Sequence, residues 1–350
     1  MPEFSVDLAL LQTLTAIPGV SGREQPVAEF IQKNLPREFD CAIDGLGNLT
    51  AHLPGSGPKL VLLTHMDEVG LIVQQIKPNG FLSVERIGGI SIRALPGSRM
   101  DLWTETGKLP AQIGLLPGHL DKGDPPKLES LYVDIGARSA QQAAEMGVQI
   151  GDVLTWPHQF QQTSPNRVSC KALDDRLGCF ALMLLAQRVS NLQLNVDLTL
   201  AFSVQEENML SGSLPIMRRI EPDIVIGIDG TLVFDTPDLD HQQSGIQLGC
   251  GPVLKWMDAI RGKLAAYLPD LRLSRQIRRL AINHNLPLQQ EVMTGLTTAI
   301  TPVPYQANGI RTAALSLPIR YHHTPIESAD LDDLAVLIDL VQLVILENSL

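Results

Sequence analysis

The sequence predicts an α/β fold: an α/β/α domain on a central mixed sheet, with a small β-barrel inserted in its middle. Three observations predict it. Apolar runs of strand length alternate with helical patterns over residues 1–70 and again over 165–350, as when crossover helices join strands of one sheet. Between them, 71–164 breaks into short β-like runs separated by Gly and Pro, the texture of a compact all-β unit. Four of the apolar runs outside that insertion end in residues able to bind a metal.

The elements follow in order. Ser5 to Ala16 has helical apolar spacing, and Ile17 to Gly22 is a turn. Ser21, with Glu24 three residues on, reads as a capping box for a second helix that stops at Pro36. Ile43 to His52, around Asp44 to Asn48, reads as a hairpin. Lys59 to Thr64 is a buried strand running into His65 and Asp67. The insertion then carries β-like runs at 71–76, 81–87, 111–116, 131–135 and 152–156, with a lone helix at 140–146 and no cluster of titratable residues. His119 and His158 are read as surface or structural. Asp174 to Val189 is a long helix, 196–204 a strand, 214–220 a short helix and 223–228 a strand. Ala259 to Asn285 is read as one or two helices interrupted by Pro269, with Arg272, Arg275, Arg278 and Arg279 on a solvated face. Thr312 to Ile319 is a strand and Asp330 to Leu346 a closing helix.

Composition bounds the function. Of 350 residues, 44% are hydrophobic and 19% charged, ordinary for a chain that buries a sizeable core. The net charge of -11 argues against nucleic acid or an anionic membrane as partner. Cys41, Cys170, Cys179 and Cys250 are scattered without metal-ligand spacing, which suits free thiols in a reducing compartment. The N-terminus has no basic region or long apolar core, and no run reaches the ~18 apolar residues of a membrane span. The expectation is a soluble cytoplasmic protein.

The candidate site lies at the ends of the four runs. They end at His65 and Asp67, at Glu206 and Glu207, at Asp229, and at His322 and His323, while Asp174 and Asp175 open the long helix. Each has an ordinary explanation by itself: helix-dipole acids, loop acids, a turn, surface histidines. Their recurrence at the carboxyl ends of strands, where open α/β sheets bind ligands, points to one crevice. Two divalent cations about 3.5–4 Å apart need carboxylates to neutralise and bridge them. Mixed His and carboxylate ligation suits zinc, with cobalt or manganese able to substitute. One further carboxylate must stay off the metals as a base. Adjacent Glu206 and Glu207 supply a base and a ligand, and Asp67 a partner that fixes the His65 ring.

THMDEVG, KALDDRLG, SVQEE, GIDGTLVFDTP and RYHHTPIE, in this order, resemble the glutamyl/deblocking aminopeptidases, the tetrahedral aminopeptidase family of dinuclear metallopeptidases. IPGVSGRE, DGLGNL and VDIGARSAQQAAEMGVQIGD extend the resemblance over nearly the whole chain, which looks closest to the branch encoded beside bacterial sugar-uptake systems. The resemblance implies a phosphorylase/hydrolase-like fold of zinc-peptidase type. Residues 1–70 and 165–350 would form its catalytic domain, and 71–164 an inserted β-barrel-like dimerisation domain. It implies two divalent metal ions per subunit. His65, Asp174 and Asp229 would hold one, and Asp174, Glu207 and His323 the other. The family pattern selects His323 over His322. Glu206 falls on the general base, Asp67 on the orienting acid, and the Asp174–Asp175 bond is expected to be cis. Two segments depart from the family: Asn208 to Gly212, after the paired glutamates, and Gly295 to Thr298.

The reading is hydrolysis of the N-terminal residue of short peptides by a two-metal-activated water, with Glu206 as base, in a homo-oligomer between dimer and dodecamer. The alternatives are a hydrolase of another bond, such as an N-acyl amino acid or a glycoside, and a non-catalytic scaffold that kept the fold.

Overall fold

The computed structural model describes residues 7–120, 123, 125–210, 212–239, 245–260 and 266–347. Its centre is a twelve-stranded mixed sheet. Four strands in the middle run parallel: Asp197–Ser203, Lys59–His65, Ile224–Leu232 and Arg311–Arg320. Antiparallel strands flank them, Leu49–Leu53 on one side and Glu327–Asp330 on the other. The parallel strands are buried on both faces. Leu60 and Leu62 pack under the helices Leu8–Ala16, Leu173–Val189 and Leu331–Leu346, while Val61 and Leu63 pack against Ile216, Met217 and Ile300. Burial on both faces is why Lys59–His65 reads as an unbroken apolar run instead of an alternating one.

The insertion is a closed six-stranded barrel in the order Gly70–Ile76, Leu82–Ile87, Val133–Asp134, Gly107–Ile113, Arg99–Thr104, Val153–Thr155. Inward residues such as Leu71, Val73, Leu102, Ile113 and Leu154 fill it. Gln161–Ser164 and Arg167–Cys170 then pair as a hairpin at the edge of the large sheet.

Several local readings change. The helix Gln25–Asn34 has no side-chain cap. Ser21 instead donates to Asp67 Oδ2 at 2.6 Å, and Glu24 Oε1 accepts the N–H groups of Gly22 and Gln205, so both side chains serve long-range contacts. The segment read as helix from Ala259 is different. Val253–Ala259 is a strand, Ala266–Tyr267 another, and only Leu271–Asn283 is helical, capped by Asp270. Residues 261–265 of that reading, and Ser5 and Val6 of the first helix, lie outside the described residues. Lys255 and Asp258 caused the miss: both are fully buried in the strand, and as polar residues they break its apolar pattern. The arginines of Leu271–Asn283 are exposed, as read. His119 is exposed, and His158 Nε2 lies 3.0 Å from Thr15 Oγ1. All four cysteines are free. Among the described residues no helix is long and apolar enough to cross a membrane.

Candidate metal centre and active site

The strand register sets the site. Ser203 pairs with His65, and Gly227 pairs with Leu63, so Asp229, two residues on, stands level with His65. The strand Ile224–Leu232 continues three residues past Asp229, which therefore projects from within the strand and not from its end. Beyond Ser203 the chain turns through Gln205 at φ 56° into the short helix Glu206–Met209. Beyond Arg320 it passes Tyr321 at φ 59° and His323 at φ 58°. Ala172, at φ 58°, leads into Asp174. Left-handed backbone at non-glycine residues is costly and gathers at functional sites. The Asp174–Asp175 bond is cis.

Asp174 is the hub. Its Oδ1 lies 3.4 Å from His65 Nε2, and the same nitrogen lies 3.7 Å from Asp229 Oδ1. Its Oδ2 lies 3.3 Å from His323 Nε2, which in turn lies 3.1 Å from Glu207 Oε1. The two oxygens of one carboxylate thus face two groups: His65 with Asp229, and His323 with Glu207. Glu206 Oε2 comes within 3.9 Å of His65 Nε2. Asp67 Oδ1 is 3.4 Å from His65 Nδ1, and that nitrogen has no hydrogen-bond partner. The seven residues to which the family resemblance gave roles therefore share one neighbourhood. Three overlapping groups offer ligand atoms within 4.8 Å of one another: His65, Asp174 and Glu207; His65, Asp175 and Asp229; and Asp174, His322 and His323.

Asp67 anchors backbone groups. It accepts the N–H of Glu206 on Oδ1 and that of Glu207 on Oδ2, each at 3.0 Å. It thereby fixes the first turn that carries both glutamates. Behind it, Glu68 is buried against Lys171 Nζ at 2.7 Å. Arg176, fully buried, donates to the carbonyls of Met66, Leu14 and Ile17.

The donor set fits divalent metal. Asp174 Oδ1, Glu206 Oε1 and Glu207 Oε1 are buried without a hydrogen-bond partner. Four carboxylates so close together in a buried site form a donor set that divalent cations would neutralise. Among the protein groups alone, burial opposes ionising Asp174. The surrounding His322, His323 and His65 outweigh it and hold its carboxyl well below the usual range. Burial raises Glu206 well above that range, and Asp229, Glu207 and Asp67 add to the rise against His65.

Two further participants stand here: His322, which the sequence offered beside His323 and the family pattern passed over, and Glu327, which it did not single out. His322 Nδ1 lies 3.1 Å from Asp174 Oδ2, with its Nε2 buried and unpartnered. Glu327 is buried and accepts the N–H groups of Asp174 and His323; burial first, then Asp174, push it up to about 7. It stands in the RYHHTPIE motif, but nothing in a sequence marks a side chain that binds backbone. Of the segments that depart from the family, Thr298 is buried, and Ala299 beside it donates to Asp229 Oδ2 at 3.3 Å. Met209 is exposed, and Ser211 lies outside the described residues.

Known proteins resemble this chain in sequence and in fold. The chain is 38% identical to the putative aminopeptidase SgcX of Escherichia coli over 95% of its own length and 91% of that protein. Among solved structures, an aminopeptidase of the archaeon Desulfurococcus kamchatkensis superposes with a TM-score of 0.93 at 31% identity, covering 97% of this chain and 94% of that one. The TET1 peptidase of Pyrococcus horikoshii, described as assembling into a tetrahedron or a large octahedral shell, gives 0.87 at 29% identity, covering 97% and 99%. The family model of the M42 glutamyl aminopeptidases matches residues 47–340. With a match over most of its length and relatives that align nearly end to end, this chain is a member of the M42 glutamyl aminopeptidase family.

Proposed function

We propose that this aminopeptidase removes the N-terminal residue of short peptides at a two-metal centre, with Glu206 as general base. The observation that carries the reading is that one oxygen of Asp174 faces His65, whose Nε2 has Asp229 beside it, while the other faces His323, whose Nε2 has Glu207 beside it. In this reading His65, Asp174 and Asp229 hold one ion, and Asp174, Glu207 and His323 the other. Zinc suits these ligands best, with cobalt or manganese as substitutes. Bound there, the ions polarise the scissile carbonyl and lower the pKa of an attacking water.

The chain's own residues do the rest. Glu206 Oε2 lies 3.9 Å from His65 Nε2 and its Oε1 has no hydrogen-bond partner; in this reading it takes the water proton and passes it to the leaving amine. Asp67 holds the Glu206 and Glu207 amides, so that one carboxylate sets the spacing of base and ligand. The catalytic unit of the proposal comprises residues 1–70 and 165–350, with the hairpin from Gln161 at its edge. The barrel mediates dimerisation within a larger homo-oligomer, in line with the assemblies described for the Pyrococcus horikoshii relative. Free cysteines suit a cytoplasmic setting.

An aminoacyl-anilide panel run with zinc, cobalt or manganese tests the reading. Release that a chelator abolishes and added metal restores is expected. No release with any metal overturns it.

A further inference from the structure

We infer that Glu327 is a positioning residue that builds the second of the two proposed ion sites, an inference that rests on the two-metal reading above. The residues around the centre reach it by different routes. His65 and Asp229 stand on parallel strands whose ladders fix their backbone. Glu207 is held through its N–H by Asp67. Asp174 and His323 have no such ladder. Asp174 follows Ala172, which is at φ 58°, and His323 is itself at φ 58°, two residues after Tyr321 at φ 59°.

Glu327 supplies the missing constraint to both. Its Oε2 accepts the Asp174 N–H at 3.1 Å, and its Oε1 accepts the His323 N–H at 2.7 Å. Glu327 is itself well fixed. It begins the strand Glu327–Asp330, pairs with Cys170 in the antiparallel ladder, and is 2% exposed. One rigid carboxylate therefore ties together the backbone of two residues that converge from distant parts of the chain. The His323 ring is aimed separately, with Nδ1 3.0 Å from the carbonyl oxygen of Gly89. Asp174, Glu207 and His323 make up the second ion site, and Glu327 fixes the backbone of two of them. The first site keeps His65 and Asp229 on strands and depends on Glu327 through Asp174 alone.

The consequence is selective. Glu327→Gln keeps the shape but can offer only one acceptor oxygen, so one of the two N–H groups faces an amide donor. Partners that hold metal ligands are worth about 10- to 100-fold in affinity. The test is stepwise zinc or cobalt titration of metal-stripped full-length protein, followed by calorimetry and metal analysis. Wild-type protein is expected to take two ions. Glu327→Gln is expected to bind the first nearly as wild type and the second about 10- to 100-fold more weakly. Glu327→Asp keeps the charge but falls one methylene short, and it provides the same test where the Gln variant folds poorly; weakening confined to the second ion is expected again. Unchanged stepwise affinities in a variant with a lowered melting temperature would show a purely structural role and overturn the inference. Equal weakening of both ions would overturn its selectivity. Wild-type protein that binds a single ion would instead sink the two-metal reading on which it rests.

Discussion

Asp67 accepts the backbone N–H of Glu206 on its Oδ1 at 3.0 Å, and its other oxygen does the same for the next residue, Glu207. A carboxylate at the end of one strand thereby sets the position of the turn that follows its parallel neighbour. Burial works against the ionised form of Asp67, but His65 and Ser21 beside it hold its carboxyl below the usual range, so it stays an acceptor.

Asp67→Ala is therefore expected to lower kcat by about 10- to 100-fold, the loss seen when a partner that orients metal ligands is removed. Anilide kinetics alongside a thermal melt check it. A fully active variant would mean that the Glu206 turn holds itself.

Glu206→Gln retains the size of the side chain and removes its basicity. We expect kcat to fall by about 10²- to 10⁴-fold, the usual contribution of a general base. Metal content measured on the same sample should be unchanged. Loss of metal together with turnover would make Glu206 a ligand instead.

Asp258 predicts a pH-dependent stability. Burial pushes its carboxyl up to about 6, with Lys255 pulling the other way. A carboxyl whose folded pKa is raised takes up its proton more readily in the native state. The stability it allows is thus full below its unfolded pKa of roughly 4 and falls as pH rises through about 6. Asp258→Asn should remove this dependence, a difference on the order of 3 kcal/mol between pH 4 and pH 8. Urea midpoints of the two proteins across that range measure it, and parallel curves would refute it.

Arg176→Met should destabilise the fold by about 3–5 kcal/mol, the cost of breaking a buried charge network at one partner. It strands the carbonyls of Met66, Leu14 and Ile17. The native guanidinium is closely fitted: a Cβ on Gly19 would lie 2.7 Å from Arg176 Nη2. A denaturant midpoint close to wild type would contradict this.

Legibility from sequence tracked the kind of interaction involved. Lys59–His65 was readable because a strand buried on both faces must be apolar along its whole length. The barrel was readable from its short runs and turns. Val253–Ala259 and Gln289–Thr294 were not, because Asp258 and Glu291 both pair with Lys255 inside the sheet and mimic surface polarity. Ser21 and Glu24 fitted a local capping pattern, yet their partners lie on other segments.

By itself, the sequence determined which residue types reach the carboxyl ends of the strands: period and apolar length place the strands, and the polar residues that end them are named by position. That gave His65, Asp67, Glu206, Glu207, Asp229, His322 and His323 as candidates, with Asp174 and Asp175 at a helix start, and the family resemblance selected His323 over His322 and Asp174 as ligand. Only the tertiary structure decided how Asp174 divides its two oxygens between His65 and His323, and that Asp67 and Glu327 secure the backbone around them. Those are contacts to main-chain N–H groups and across unpaired loops. Every residue but proline carries the same N–H, so no pattern of side chains can announce which one a carboxylate will find.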